Sequence, residues 1–120
     1  MSQLPGPFHD TADAARFSAE KLQKVNLFES ARMFCDVYCL QPGQAQKPHA
    51  HEGSDKIYHV LSGSVRVAIG DELRDLRPGQ LAVAAAGVEH GVSNESEEPA
   101  TVLVVMAPHP RSPVPTTRPA

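Results

Sequence analysis

Turn signals recur through the middle of this 120-residue chain, and the intervals between them are too short for anything but strands. The turns are Gln41-Pro42-Gly43-Gln44, Glu52-Gly53-Ser54-Asp55, Ser62-Gly63, Gly70-Asp71, Arg77-Pro78-Gly79 and Ala86-Gly87. Between and around them lie runs of β-type composition at Leu22–Phe28, Arg32–Leu40, Lys47–His51, Lys56–Leu61, Ser64–Ile69, Glu72–Leu76, Leu81–Ala85 and Ala100–Met106. About eight or nine short strands at this spacing predict an all-β sandwich or barrel. No internal repeat is visible, so one barrel is expected over residues 22–106. Ala100–Met106 (ATVLVVM) is the most apolar run and the best candidate for the core.

The ends read differently. Residues 1–21 form a lead-in in which Asp10 is placed to cap a short helix running toward Arg16-Phe17. Residues 107–120 hold five prolines, which lack the N–H that a sheet needs, so an extended or disordered tail is expected. His9 and His109 lie in these irregular ends and are expected to be solvated.

Charge narrows the partners. The formal net charge is −3 and the basic residues are scattered, which speaks against nucleic acid and against a membrane surface. No apolar run is long enough to span a bilayer. The start, MSQLPGPFHD, has neither a basic segment nor an apolar core, so a secretory signal is not expected and the cytoplasm is. Cys35 and Cys39 fall on one strand, where four residues separate their Cα atoms by roughly 13 Å. A disulfide needs less than about 7 Å. Both are therefore expected to be reduced and to pack as small hydrophobes.

The chemistry concentrates in His49-Ala50-His51 and His90. Alternate residues of a strand share a face, so His49 and His51 present two imidazoles together. His90 brings a third from a distant segment. Three imidazoles with coordination positions left open are a common way to hold a divalent metal for chemistry.

With these residues in their spacing the chain resembles the cupin superfamily, and within it the small single-domain members. The first family motif runs Gly, five residues, His-X-His, three or four residues, Glu, six residues, Gly. Here it reads Gly43, QAQKP, His49-Ala50-His51, EGSD, Lys56, IYHVLS, Gly63. The second runs Gly, five residues, Pro-X-Gly, two residues, His, three residues, Asn. Here it reads Gly79, QLAVA, Ala85-Ala86-Gly87, VE, His90, GVS, Asn94. The resemblance implies a double-stranded β-helix, or jelly-roll barrel, with His49, His51 and His90 directed into its mouth. It also implies a divalent metal there, such as iron, zinc, nickel or manganese. Small members of the superfamily often pair across a two-fold, so a homodimer is expected.

Two positions depart from the pattern. Ala85 stands where the second motif has Pro, which removes some rigidity from a turn. Lys56 stands where the first motif has the anionic ligand Glu. A protonated lysine about 4 Å from a divalent ion would be repelled by roughly 8 kcal/mol at an effective dielectric near 20. Lys56 therefore points away, loses its proton, or marks a barrel without a metal. Asp55 is the nearest substitute carboxylate. It faces away from the pocket on a regular strand, and only a bulge near Gly53-Ser54 would turn it inward. Glu52, on the turn, is a weaker substitute. Tyr58 shares the parity of Lys56, so its hydroxyl reaches the pocket or its ring fills the barrel. His59 has the opposite parity and is expected at the surface or an interface. Asn94 is expected to brace a turn.

Two functional readings follow. In the first, His49, His51 and His90 hold a divalent metal, and Lys56 and Tyr58 contact a small ligand with an anionic group. A dioxygenase or isomerase acting on a small carbonyl or carboxylate compound is then the class to expect. In the second, Lys56 has displaced the metal and the barrel is a non-catalytic ligand-binding or structural module. The fold does not choose between them.

Overall fold

The computed structural model describes residues 3–110. One short helix, α1 (Thr11–Ala14), precedes nine strands. These are β1 (Gln23–Glu29), β2 (Phe34–Leu40), β3 (Ala45–His49), β4 (Asp55–Ser62), β5 (Val65–Ile69), β6 (Glu72–Leu76), β7 (Leu81–Ala84), β8 (His90–Ser93) and β9 (Ala100–Ala107). They form two antiparallel sheets, one ordered β1-β2-β9-β4-β7 and the other β3-β8-β5-β6. Apart from the β1–β2 and β5–β6 hairpins, neighbours in each sheet are not consecutive in the chain, as the double-stranded β-helix requires. Among the described residues no helix is long and apolar enough to cross a membrane.

The core lies between the sheets. Register places side chains of the five-stranded sheet in rows on its inner face. Tyr38, Val102 and Val60 share one row, and Asp36, Val104 and Tyr58 the next. Phe34, Met106 and Lys56 form a third. Val65, Val67 and Val92 meet them from the four-stranded sheet. The ATVLVVM run becomes β9, the central strand of the larger sheet, with Ala100, Val102, Val104 and Met106 buried. A strand with neighbours on both edges and residues against both faces can be apolar throughout, which is why its sequence does not alternate.

The lead-in covers the outer face. Ala14 packs with Leu27, Val37 and Cys39, joined by Leu4 and Ala15. The Asp10 carboxylate caps α1 by accepting from the amides of Ala12 (2.9 Å) and Asp13 (3.3 Å). The helix is shorter than its sequence suggests. Ala15 is already extended, and Arg16 donates to the carbonyls of Asp13 and Ala15. Cys35 and Cys39 are free, with Cys39 buried and Cys35 half-buried.

Two expectations are corrected. The strand expected over Lys47–His51 is instead Ala45–His49. Pro48 has no N–H to offer, and the register slips between Gln46 and His49, so His51 lies beyond the strand. His109, expected to be solvated, is buried. Its Nε2 lies 2.7 Å from Glu29 Oε2 and its ring meets Phe34 edge-on. The end of β9 carries the chain back across β1 and β2, a placement that local composition does not encode. Residues 111–120 of the proline-rich tail lie outside the described residues.

Candidate metal centre

His90 opens β8 opposite His49, the last residue of β3. This pairing needs Gly91. A Cβ there would lie 2.9 Å from both the Gln46 carbonyl oxygen and the Pro48 nitrogen, closer than real contacts allow. The glycine lets the bulged end of β3 fold against β8. Past the strand, the Gly87 amide donates to the His51 carbonyl at 2.8 Å. That bond ties His51 to the turn that leads into His90.

The turn at Ala85, where the second motif has proline, is held by hydrogen bonds. Val88 N–H donates to Ala85 O, Ala86 N–H donates to Asp55 Oδ1 at 2.9 Å, and Gly87 takes a positive φ of 84°. Asp55 is exposed and occupied there, and β4 has no bulge at Gly53-Ser54 to turn it inward. It supports the turn and is not grouped with the histidines. Glu52 is also exposed and outside the group.

The three imidazoles converge. Ring centroids are 4.5 Å apart for His49 and His90, 4.9 Å for His49 and His51, and 5.7 Å for His51 and His90. One nitrogen from each lies within 4.8 Å of the others. Two of the rings have a defined tautomer. His49 Nδ1 lies 2.9 Å from the Lys47 carbonyl and His90 Nδ1 lies 3.0 Å from the Val88 carbonyl. A carbonyl only accepts, so each Nδ1 carries a hydrogen, and the neutral form of either ring has its lone pair on Nε2. Backbone carbonyls commonly orient metal-binding histidines in this way. His90 Nε2 is buried and has no hydrogen-bond partner among the described residues. Burial pushes the His90 imidazole down to about 4, with Lys56, His49 and His51 adding to the shift and the Val88 bond opposing it. The same cause, burial first and then the His49 and Lys56 charges, lowers His51. A buried imidazole nitrogen with no partner among the described residues, faced by two further imidazoles, is what a divalent cation needs, so the residues present fit such an ion.

Lys56 and Tyr58 lie on the inner face of β4, and both are fully buried. Lys56 Nζ donates to Gln46 Oε1 at 3.1 Å and sits 5.3 and 5.0 Å from the ring centroids of Tyr38 and Tyr58. Tyr58 donates to the same Gln46 oxygen at 3.3 Å, and Gln46 Nε2 donates to Tyr38 at 3.3 Å. Burial pushes the Lys56 amine down to about 7, with Lys24 adding to the shift and Asp36 opposing it. Tyr58 is both barrel filling and part of this polar network. Gln46 is the residue that sequence reasoning missed. Strict alternation from His49 turns it outward, but the slip before His49 turns both residues inward. Pro48 was the available signal. Asn94 braces its turn, donating to Leu40 O and Glu98 O. His59 is half-buried on the outer face.

Fold and site together define a small jelly-roll barrel with a histidine cluster in its mouth. The chain belongs to the cupin family: the Cupin_2 cupin domain matches residues 36–106. It is similar to the crystal structure of TT1209 from Thermus thermophilus, with 52% identity, a TM-score of 0.82, and coverage of 84% of this chain and 96% of that one. It is 36% identical over 78 residues to an uncharacterised protein of Streptomyces coelicolor, covering 63% of this chain and 70% of that protein. KdgF from Halomonas sp. shares the fold at 24% identity, with a TM-score of 0.74 and coverage of 88% and 96%.

Proposed function

We propose that this protein is a metal-binding cupin that holds one divalent ion on His49, His51 and His90 and a small organic ligand beside it. The observation that carries the reading is His90 Nε2, a buried acceptor without a partner among the described residues, on a ring whose other nitrogen is fixed by Val88. Leaving such an atom unsatisfied is destabilising, and two more imidazoles face the same point. The group holds three imidazoles and, among the described residues, no carboxylate, so coordination positions remain for ligand or water.

When bound, the ion would polarise a carbonyl or carboxylate oxygen or acidify a bound water. The chain's own residues do the rest. Val88 and Lys47 orient the imidazoles, and the Asp55-supported turn sets the position of His90. Lys56 uses one N–H on Gln46 and has others to offer the anionic group of a ligand. A small carbonyl or carboxylate compound is therefore the substrate class to assay, in oxygen-dependent or isomerising reactions.

Elemental analysis of untagged protein, purified without chelators, tests the reading. About one metal per chain supports it. A chain that stays metal-free after addition of iron, manganese, nickel and zinc in turn overturns it.

A further inference from the structure

A second cavity opens at the β1–β2 end of the inner face. Its volume is about 310 Å³, within the size range of small-ligand sites, and Lys24, Asn26, Phe34, Asp36 and Tyr38 contribute to its lining. A bulge in β1 shapes it. The register slips between Asn26 and Phe28, so Phe28 turns out to solvent while Glu29 comes to lie opposite Phe34. Bulges of this kind re-aim side chains at the rims of barrels.

Asn26 is the unusual residue. It is 4% exposed, and its Nδ2 donates to Asp36 Oδ1 at 2.7 Å and to Phe28 O at 3.2 Å. Bracing the bulge uses the amide hydrogens alone. Its Oδ1 is buried and has no partner among the described residues. Buried acceptors are seldom left unpaired without a reason. Asp36, 7% exposed, adds a carboxylate to the same cavity, and burial raises its carboxyl pKa.

We propose that this cavity is a ligand subsite that takes the hydroxyl-rich part of a small organic molecule, with Asn26 Oδ1 and the Asp36 carboxylate accepting its hydroxyl hydrogens. The chemistry selects hydroxyls over the other donors. An ammonium group would also satisfy two acceptors, but it has no lone pair to accept from Lys24, which lines the same cavity with Nζ 5.3 Å from the Tyr38 ring. A hydroxyl donates to Asn26 or Asp36 and accepts from Lys24, so neighbouring hydroxyls satisfy both kinds of group. The half-buried Phe34 ring supplies an apolar wall for the C–H face of a ring polyol. The inference rests on the reading that the barrel takes a small organic ligand, and not on the metal.

The test is a titration of the ¹⁵N-labelled full chain with myo-inositol, with cyclohexanol and methylammonium as controls, in metal-loaded and metal-free protein. Saturable movement of the Asn26 side-chain amide with myo-inositol in both forms is expected, with neither control matching it. Asn26→Leu and Asp36→Leu each weaken binding about tenfold or more, while metal content stays at the wild-type value. Lys24→Met, at an exposed position, keeps the test open should the buried variants fail to fold, and weakens binding by a smaller factor. Absence of saturable movement overturns the subsite, as does binding that the variants leave unchanged. Equal binding of cyclohexanol or methylammonium overturns the hydroxyl class. Binding only in metal-loaded protein assigns the ligand to the histidines instead. Inositol binding by a protein that takes no metal would leave the subsite standing while the metal reading fell.

Discussion

His49 on β3 and His90 on β8 each have an Nδ1 tied to a backbone carbonyl, His51 joins them from the loop after β3, and His90 presents an acceptor with no partner among the described residues. Across the barrel, Lys56 on β4 is enclosed by Gln46 and the rings of Tyr38 and Tyr58. One side of the mouth is left unsatisfied and the other has furnished its own partners. The contrast teaches that replacing the family's glutamate is a change accommodated within the five-stranded sheet and Gln46. It has not dismantled the histidine side, whose geometry depends on Gly91, the Asp55-supported turn and two carbonyls.

If the sides are independent, changes on one should leave the other untouched. The largest effect is expected from His49→Ala combined with His90→Ala, which should take metal from about one per chain to less than about a tenth, by elemental analysis. Gly91→Ala comes next. Its Cβ must push β3 from β8, separating His49 from His90, so metal affinity should fall about 10- to 100-fold in a competition titration with a chromogenic chelator. A metal affinity equal to wild type would show that the pairing of β3 and β8 does not set the site.

Acid should act on the histidine side of the metal-free protein. The His90 pKa is lowered to about 4 in the fold, against an ordinary value of 6.5. Between these values the unfolded chain binds more protons than the folded one, so stability falls as pH drops through that window. A loss of about 1–3 kcal/mol is expected between pH 6.5 and pH 4, read from urea unfolding. His90→Asn should flatten that slope, and an unchanged slope would assign it elsewhere.

The smallest effect is expected from Lys56→Met. Removing a buried amine in favour of an apolar chain of similar length should raise stability by about 1 kcal/mol at pH 7, or about 5 °C in Tm. Metal content should not change. Lys56 is lowered to about 7 from 10.5, so wild-type stability also rises with pH across that interval, a rise the variant should lack. Because the Lys56 charge adds to the lowering of His90 and His51, a small gain in metal affinity is expected, and a loss would show that the Lys56 network supports the histidine side.

Much of this was legible along the chain. Glu72–Leu76 ends where its turns say it should, and ATVLVVM is apolar enough to demand the centre of a sheet. The histidines could be grouped from motif spacing, although the strand alternation expected for His49 and His51 is not what joins them: β3 ends at His49, and His51 is held by the bond from Gly87 N–H to its carbonyl. Gln46 escaped because a bulge reverses parity within three residues, and bulges depend on the partner strand. His109 escaped because its partners, Glu29 and Phe34, lie far back in the chain.

By itself the sequence determined the all-β barrel, its turns and the identity of the three imidazoles. These depend on local conformational preference and on a two-residue period. How the three rings converge, where the Lys56 amine finds its partner, and why Asn26 Oδ1 has none among the described residues were decided only by tertiary structure. Hydrogen bonds join atoms within about 3 Å, and only the packing of the two sheets brings residues so distant in sequence to that range.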